Sequence, residues 1–269
     1  MSKRVAFFDV DGTLLTVTSL FRFLAYDCAV RGQPESYGDA MAELAQVKAA
    51  GASRVEANRA FFGAFAGRSV ADLVTGGRRW FELERALGGL FDPRVLTMLR
   101  AHSAGGDLVV LLSGSFAPCL TPIARFTGAD VVVCTEPEVD DGRYTGRVAD
   151  PMVGARKAGA AAAIAAGHGI DPADCFSYGD DASDLAVLEF AGCPVVVGDD
   201  PVLAERARQL GWRRIPAFTP AAGPGQSPGC HSPLSGGPGG EAPGLGQSPS
   251  GHSRPPVRIP PTLQEVGHP

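Results

Sequence analysis

The chain has 269 residues, of which 45% are apolar, and a formal net charge of −5. This length allows one large or two small domains, and the acidic balance excludes binding to a nucleic-acid backbone, which needs a basic surface. No apolar stretch approaches a membrane span, and the apolar run before Asp9 is too short for a signal peptide. The six cysteines form no CxxC pair or zinc pattern, which predicts reduced thiols in a cytoplasmic protein without a membrane partner.

The first predicted element is a buried strand at Val5–Phe8, which ends at an acidic turn. Residues 16–88 follow it and contain no strand-like run. They carry apolar residues at helical spacing instead, such as Phe21, Leu24 and Cys28. The sequence therefore predicts a small helical cap domain at 16–88, inserted after the first strand.

Residues 1–15 and 89–218 are predicted to form the catalytic core, because short apolar runs and helical segments alternate there. The further strands are predicted at Leu108–Leu112, Val131–Val133, Cys175–Tyr178 and Val195–Val197. The helices are predicted at Pro93–His102, Cys119–Phe126, Ala155–Ala166, Ser183–Phe190 and Val202–Leu210. This alternation is typical of an α/β fold with a doubly wound parallel sheet.

Two other segments differ from this pattern. Glu138–Val148 contains Asp141–Gly142, a strong two-residue turn signal, and predicts a β-hairpin on the edge of the sheet. Residues 219–269 are nearly half Gly or Pro and include a rough repeat, GQSPGCHS and GQSPSGHS. We expect this tail to be disordered, because it cannot bury enough apolar surface to offset its ordering entropy. It is either a Pro-rich ligand for a partner or a tail without a function.

Polar residues follow several of the predicted strands, where a parallel sheet places its ligands. Asp9 and Asp11 follow the first strand at a spacing of two, so both carboxylates can face one site. One carboxylate can attack a phosphoester, and the other can protonate the leaving oxygen and later activate water. The alternative is a solvated turn with two surface carboxylates.

Ser113 and Gly114 follow the second strand and offer a hydroxyl and free backbone N–H groups as a phosphate cradle. The alternative is a turn in which Ser113 caps the next helix. Lys157 opens a later helix, against the dipole preference for acids there, which suggests a phosphate partner. A solvated Lys157, or a phosphate contact from the neighbouring Arg156, is the alternative.

Asp180, Asp181 and Asp184 lie between a predicted strand and a helix. Mg²⁺ prefers oxygen ligands from one or two carboxylates, phosphate and water. Asp180, at the strand end, is the best second metal ligand after Asp9. A helix-capping role competes for Asp184 or Ser183.

Four motifs in this order resemble those of the haloacid dehalogenase superfamily. They are DVDGTL beginning at Asp9, SGS beginning at Ser113, Lys157, and GDDASD beginning at Gly179. The resemblance covers residues 4–216 and is strongest to the phosphoserine-phosphatase-like branch, the type IB hydrolases. It implies Asp9 as nucleophile, Asp11 as general acid and base, and Ser113 and Lys157 as phosphate ligands. It also implies Mg²⁺ held by Asp9, the Asp11 carbonyl and Asp180, with Asp184 in support.

The chain departs from phosphoserine phosphatases at one position. Those enzymes usually carry a Glu that holds the substrate amine, and the corresponding position here is about Thr18, with no acid from Thr13 to Tyr26. Arg59 corresponds to a carboxylate-binding cap Arg or lies on the surface, with Arg54 and Arg68 as rivals. We therefore expect phosphoserine not to be the best substrate.

The leading hypothesis is a Mg²⁺-dependent phosphomonoesterase that acts on a small phosphorylated metabolite through an aspartyl-phosphate. Phosphoserine phosphatase is the first alternative. A catalytically silent phosphate-binding or scaffold protein is the second, and the complete motif set argues against it. Dehalogenation is disfavoured, because that chemistry does not need the second Asp or the metal.

Overall fold

The computed structural model describes residues 4–218, which form a doubly wound α/β fold. A six-stranded sheet, entirely parallel, has the strand order β3-β2-β1-β6-β7-β8. The strands are β1 Val5–Asp9, β2 Leu108–Ser113, β3 Val131–Cys134, β4 Val139–Asp140, β5 Arg143–Tyr144, β6 Cys175–Gly179, β7 Cys193–Val197 and β8 Arg213–Ile215. The predicted fold class and five of its strands are confirmed. The edge strand β8 was not predicted, because it is short and carries two exposed arginines.

The helices cover both faces of the sheet. They are α1 Ser19–Val30, α2 Glu35–Ala49, α3 Arg54–Phe61, α4 Val70–Leu87, α5 Pro93–Ala104, α6 Ala117–Thr127, α7 Ala155–Gly167, α8 Leu185–Phe190 and α9 Pro201–Leu210. Alternate residues of β1 face opposite sides, so Phe8 packs with α1–α6 and Phe7 packs with α7 and α8. Burial on both faces explains why the strands are almost wholly apolar. The helix predicted from Ser183 begins instead with a 3₁₀ turn at Ala182–Asp184.

Helices α1–α4 lie between β1 and β2 in the chain, as the helical spacing of this segment predicts. Their aromatic residues pack around Phe116, which precedes α6, with ring centroids 4.9 Å away for Phe65 and 5.6 Å for Phe62. Helix α4 packs closely on α6, because Gly77 has no side chain. A Cβ there would lie 1.9 Å from the Pro118 carbonyl oxygen. The helices and one face of the sheet therefore share one apolar cluster.

The hairpin is present, but its predicted place on the edge of the main sheet is wrong. Strands β4 and β5 form a separate two-stranded antiparallel sheet. Its backbone is bonded to the segment before α4: Tyr144 N donates to Arg68 O at 2.9 Å, and Gly67 N donates to Tyr144 O at 2.7 Å. These bonds pair the hairpin with the helical insertion, which the turn signal could not reveal.

The five cysteines within residues 4–218 are free thiols, and four of them are buried. None of the helices in this part of the chain is both long and apolar enough to cross a bilayer. A cytoplasmic location and the absence of nucleic-acid partners stay predictions. The expected disorder at 219–269, with Cys230, lies outside the described residues.

Candidate active site

Asp9 and Asp11 lie at the carboxyl end of β1, in the centre of the sheet. Asp9 is the last residue of the strand and is 8% exposed. Asp11 lies in the turn beyond it, where its Oδ1 accepts a 2.9 Å hydrogen bond from the Ser19 backbone N–H at the start of α1. Burial, with a smaller effect of the Asp9 charge, raises the pKa of Asp11 to about 7. The two carboxylates therefore lie at one site rather than on a solvated turn.

Lys157 is the third residue of α7 and is buried. Its Nζ donates to Asp9 Oδ1 at 2.5 Å and to Asp184 Oδ1 at 2.7 Å. Burial alone would lower the pKa of Lys157, but Asp184 and Asp9 hold it above its ordinary value. Lys157 is thus not a solvated side chain. The rival Arg156 forms an ion pair with Asp150 at 2.9 Å instead.

Asp180 and Asp184 reach the same point from the end of β6. Thr13 Oγ1 donates to Asp180 Oδ1 at 2.7 Å. The turn after β1 leaves room for this carboxylate because Gly12 has φ +92° and no side chain. A Cβ there would lie 2.2 Å from Asp180 Oδ2. Asp181 caps the following 3₁₀ turn, with Oδ1 accepting from Ser183 N at 2.9 Å. Asp184 completes this capping box by accepting from Asp181 N at 3.4 Å, so its expected capping role is present.

Asp9, Asp11, Lys157, Asp180 and Asp184 together form what we call the strand-end cluster. It carries four carboxyl groups and one ammonium. Burial and the charge of Asp9 raise the pKa of Asp180 to about 8. Burial raises the pKa of Asp184 to about 6, although Lys157 opposes this shift. The cluster therefore has more negative charge than its own lysine can balance.

A divalent cation fits this imbalance. Carboxylate oxygens of Asp9, Asp180 and Asp184 lie within 4.8 Å of one another. An oxygen-only donor set of this kind suits Mg²⁺. The Asp11 carboxyl group is outside the set and is bonded to Ser19 N. The expectation that the Asp11 carbonyl oxygen binds the metal stays a prediction.

Ser113 and Gly114 form the turn at the end of β2. Ser113 is buried and accepts a 3.0 Å hydrogen bond from Ser115 N, so it does not cap a helix. The Gly114 carbonyl accepts from Thr135 Oγ1 at 2.9 Å and from Asn58 Nδ2 at 3.1 Å. Asn58 belongs to α3, so a helix of the insertion is bonded directly to this turn.

One cavity contains the strand-end cluster, Ser113 and Gly114, and extends outward between the helices of the insertion. Its outer part is lined by Thr18, Leu20, Phe21, Leu44, Lys48, Arg54, Ala57, Asn58, Phe61 and Val153. Arg54 lies 3.4 Å from Asp181, whereas Arg59 donates to the carbonyls of Val148 and Ala149, and Arg68 is paired with Asp27. Arg54 therefore lines the cavity, whereas Arg59 and Arg68 are not among its lining residues.

Sequence reasoning missed Lys48, Asn58 and Phe61 as lining residues. A signal for α3 was present. Arg54, Ala57, Asn58 and Phe61 occupy positions i, i+3, i+4 and i+7, which share one helix face. Only the packing of the helix shows that this face is turned to the cavity.

The family comparison agrees with this geometry. Residues 6–189 match the sequence model of the haloacid dehalogenase-like hydrolases. The chain belongs to this family and is therefore a hydrolase, and the relatives and solved structures similar to it include phosphatases. The expected family, fold and enzyme class are confirmed at this level.

Two relatives illustrate the similarity in sequence. The "Inhibition of morphological differentiation protein" of Streptomyces azureus is 30% identical over 81% of this chain and 84% of its own length. A "Probable phosphatase" of Mycobacterium tuberculosis is 38% identical over 43% of this chain and 40% of its own length.

Two solved structures share the fold. A protein of unknown function from Bordetella pertussis Tohama I has a TM-score of 0.70 and 27% identity, covering 81% of this chain and all of the other. A phosphoserine phosphatase, solved as an analogue of its phospho-aspartyl intermediate, has a TM-score of 0.57 and 20% identity, covering 77% of this chain and 91% of the other. At that identity the second similarity shows the fold alone.

Proposed function

We propose that this protein is a Mg²⁺-dependent phosphomonoesterase that hydrolyses a small phosphorylated substrate through an aspartyl-phosphate on Asp9. The observation that supports this function best is the shared cavity. A nucleophile, an acid and base, phosphate donors and cation ligands all line it, although they come from β1, β2, α7 and β6. In this proposal residues 1–15 and 89–218 are the catalytic core, and residues 16–88 are a cap that closes the cavity.

The reaction has two steps at phosphorus. An Asp9 carboxylate oxygen attacks the phosphorus atom, and the ester P–O bond breaks with its electron pair on the leaving oxygen. Asp11, held by Ser19 N at 2.9 Å, gives that oxygen a proton. A water molecule then transfers a proton to Asp11 and attacks the phosphorus of the aspartyl-phosphate, which frees Asp9 and phosphate.

The remaining residues bind the phosphoryl group and its counter-ion. In this proposal the Ser113 hydroxyl and the backbone N–H of Gly114, two residues that line the cavity, donate to phosphate oxygens. Lys157 holds Asp9 in position and contributes positive charge beside the phosphate. Asp9, the Asp11 carbonyl and Asp180 would hold Mg²⁺, with Asp184 in support. The bound cation would offset the repulsion between these carboxylates and an anionic substrate.

Phosphoserine phosphatase activity is the second candidate, because the motifs of the chain resemble those of the phosphoserine-phosphatase-like branch most closely. The outer cavity argues against it. Thr18 lines the cavity where an acid would be needed to hold an ammonium group, and Lys48 and Arg54 add positive charge. In the described part of the chain, the only carboxylate of this outer region is Asp181, which is paired with Arg54.

Chemical trapping of the intermediate tests the mechanism. Enzyme mixed with a ³²P-labelled phosphomonoester and Mg²⁺, then quenched in acid, should carry label on the protein. Reduction of the acyl phosphate with borohydride should convert residue 9 to homoserine, as read by peptide mass spectrometry. A turning-over enzyme that is never labelled at residue 9 would overturn the aspartyl-phosphate assignment. A protein that binds phosphate but hydrolyses no ester would favour the silent alternative.

A further inference from the structure

We infer that the outer cavity selects phosphomonoesters whose alcohol portion is apolar and carries no cationic group, and that Phe21 and Phe61 set this preference. The inference rests on the proposed phosphatase function and adds the class of substrate. It is derived from the side chains that face a bound phosphoester across the cavity.

The insertion contributes nine residues to the cavity. Five of them are apolar and form what we call the apolar wall, and the other four are Thr18, Lys48, Arg54 and Asn58. Leu20, Leu44, Ala57 and Phe61 are at most 5% exposed and line the cavity together with the partly exposed Phe21. The Phe21 and Phe61 rings meet edge to face, with centroids 4.9 Å apart. This contact between α1 and α3 keeps both rings in place, so the wall exists before any ligand binds.

A leaving group that extends from the phosphate must pass along this wall. An apolar alcohol would exchange water for Phe21, Phe61 and Leu44, which favours binding in proportion to the area covered. A polyhydroxy alcohol would lose its hydrogen bonds to water where it lies against the five apolar residues, because these side chains offer no replacement. The polarity of these side chains therefore favours aryl and alkyl esters over sugar or glycerol phosphates.

Charge at the rim disfavours ammonium groups. Lys48 and Arg54 both line the cavity, and Asp181 is the single outer carboxylate within residues 4–218, at 3.4 Å from Arg54. Two cations and one anion leave a net positive rim. A primary amine on the substrate would meet repulsion from Lys48 and would have no free carboxylate to bind.

The preference can be measured with esters whose leaving alcohols are similar in reactivity. We would compare 3-phenylpropyl phosphate, n-propyl phosphate, glycerol 3-phosphate, 3-aminopropyl phosphate and phosphoserine, with released phosphate as the readout. The kcat/KM of the phenylpropyl ester should exceed that of glycerol phosphate by about tenfold and that of aminopropyl phosphate by about a hundredfold.

Substitutions of cavity residues, with a matched control outside the cavity, test which side chains set the substrate preference. Phe21→Ala should raise the KM of the phenylpropyl ester about tenfold and reduce its kcat/KM relative to that of n-propyl phosphate by a similar factor. Phe126→Ala is the control, because Phe126 is also a partly exposed helical ring but packs on Phe81 and Phe91 outside the cavity. Phe61→Leu, which keeps a buried apolar side chain, should weaken the same preference without loss of folding. Lys48→Glu should raise kcat/KM for aminopropyl phosphate.

The outcomes separate the two proposals. If no ester in the panel is hydrolysed, including 4-nitrophenyl phosphate as a reactive reference, the proposed phosphatase function fails. If the esters are hydrolysed but aminopropyl phosphate, phosphoserine or glycerol phosphate is the best substrate, the phosphatase function stands and the apolar preference is overturned. Equal effects of Phe21→Ala and Phe126→Ala would also overturn it.

Discussion

Two clusters of charged side chains lie against the same sheet, and their charges are balanced in opposite ways. The strand-end cluster has four carboxyl groups for one lysine. The second cluster, which we call the basal network, begins at the amino ends of β1 and β2 and consists of Arg4, His102, Asp107 and Tyr178. The Arg4 guanidinium donates two hydrogen bonds to Asp107, from Nε to Oδ1 at 3.0 Å and from Nη2 to Oδ2 at 3.1 Å. His102 joins Asp107 at 2.7 Å and the Tyr178 hydroxyl at 2.9 Å.

The difference shows in the pKa values of the acids. Burial tends to raise the pKa of Asp107, but hydrogen bonds from His102 and Arg4 hold it below its ordinary value. In the strand-end cluster, burial and neighbouring carboxylates raise the pKa values of Asp11, Asp180 and Asp184. The basal network is thus satisfied by the protein alone, whereas the strand-end cluster needs a ligand. An unbalanced buried cluster in a cavity is typical of a functional site.

The largest effect is expected for Asp9→Asn. The amide cannot act as nucleophile, so activity should fall about a thousandfold or more. Initial rates of phosphate release from purified protein measure this loss. The folded state should be retained, as circular dichroism would show. More than a few per cent of wild-type activity in the variant would contradict the assignment of Asp9.

Removal of divalent cations should also abolish activity, and Mg²⁺ should restore it. Because the ion binds carboxylates placed together only in the native state, Mg²⁺ should also raise the melting temperature. Asp180→Asn should remove most of that rise, while Asp107→Asn should retain it. Without the ion, Asp180→Asn should melt no lower than the wild type, because the native state disfavours the ionised Asp180. Full activity after exhaustive EDTA treatment would refute this prediction.

Asp107→Asn should affect stability rather than catalysis. Loss of the ion pair with Arg4 and of the hydrogen bond with His102 should lower the free energy of unfolding by about 2 kcal/mol near neutral pH, as measured by urea denaturation. The pKa of Asp107 is lower in the folded than in the unfolded state, so its contribution is present above the unfolded pKa and is lost as pH falls through the folded one. The difference from wild type should therefore shrink below about pH 4. A large loss of kcat at unchanged stability would oppose this structural role.

Asn58→Ala should have a moderate effect on turnover. It removes the hydrogen bond that holds the Gly114 carbonyl to α3, so the phosphate-binding turn should be less well ordered. We expect kcat/KM to fall about tenfold, mostly through kcat. Arg59→Ala is the matched control, since it removes bonds from the same helix to Val148 and Ala149 and leaves Gly114 untouched. Equal losses in the two variants would mean that Asn58 only stabilises the insertion.

The smallest effect is expected for removal of residues 222–269. This segment has no periodic apolar face and no residue in either charged cluster. Its deletion should change the free energy of unfolding by less than about 1 kcal/mol and leave specific activity nearly unchanged. Melting temperature and initial rate of the two proteins test this. A large drop in either would show that the tail packs on the catalytic part of the chain.

Local patterns in the sequence were sufficient for five of the six strands of the main sheet, for the helical character of residues 16–88 and for the motif residues. Runs such as Leu108–Leu112 are apolar because both faces of the strand are buried, so they can be read without knowing their neighbours. Parallel strands bring their carboxyl ends to one edge, which is why Asp9, Ser113 and Asp180 could be expected to meet. The turn type at Asp141–Gly142 is likewise a property of two adjacent residues.

Contacts between distant segments were decided by the tertiary structure alone. The hairpin pairs with residues 67–70 because backbone N–H and C=O groups of that segment lie beside it. The sequence of the hairpin does not indicate which segment it will pair with. Helix packing sets which side of α7 and of α3 faces the cavity. For this reason Lys157 on α7 donates hydrogen bonds to Asp9 and Asp184. For the same reason Arg54 on α3 lines the cavity and Arg59 does not. The sequence by itself determined the elements and the reactive residues, since these depend on neighbours along the chain. The wall of the cavity depends on how whole helices pack, and only the folded chain shows it.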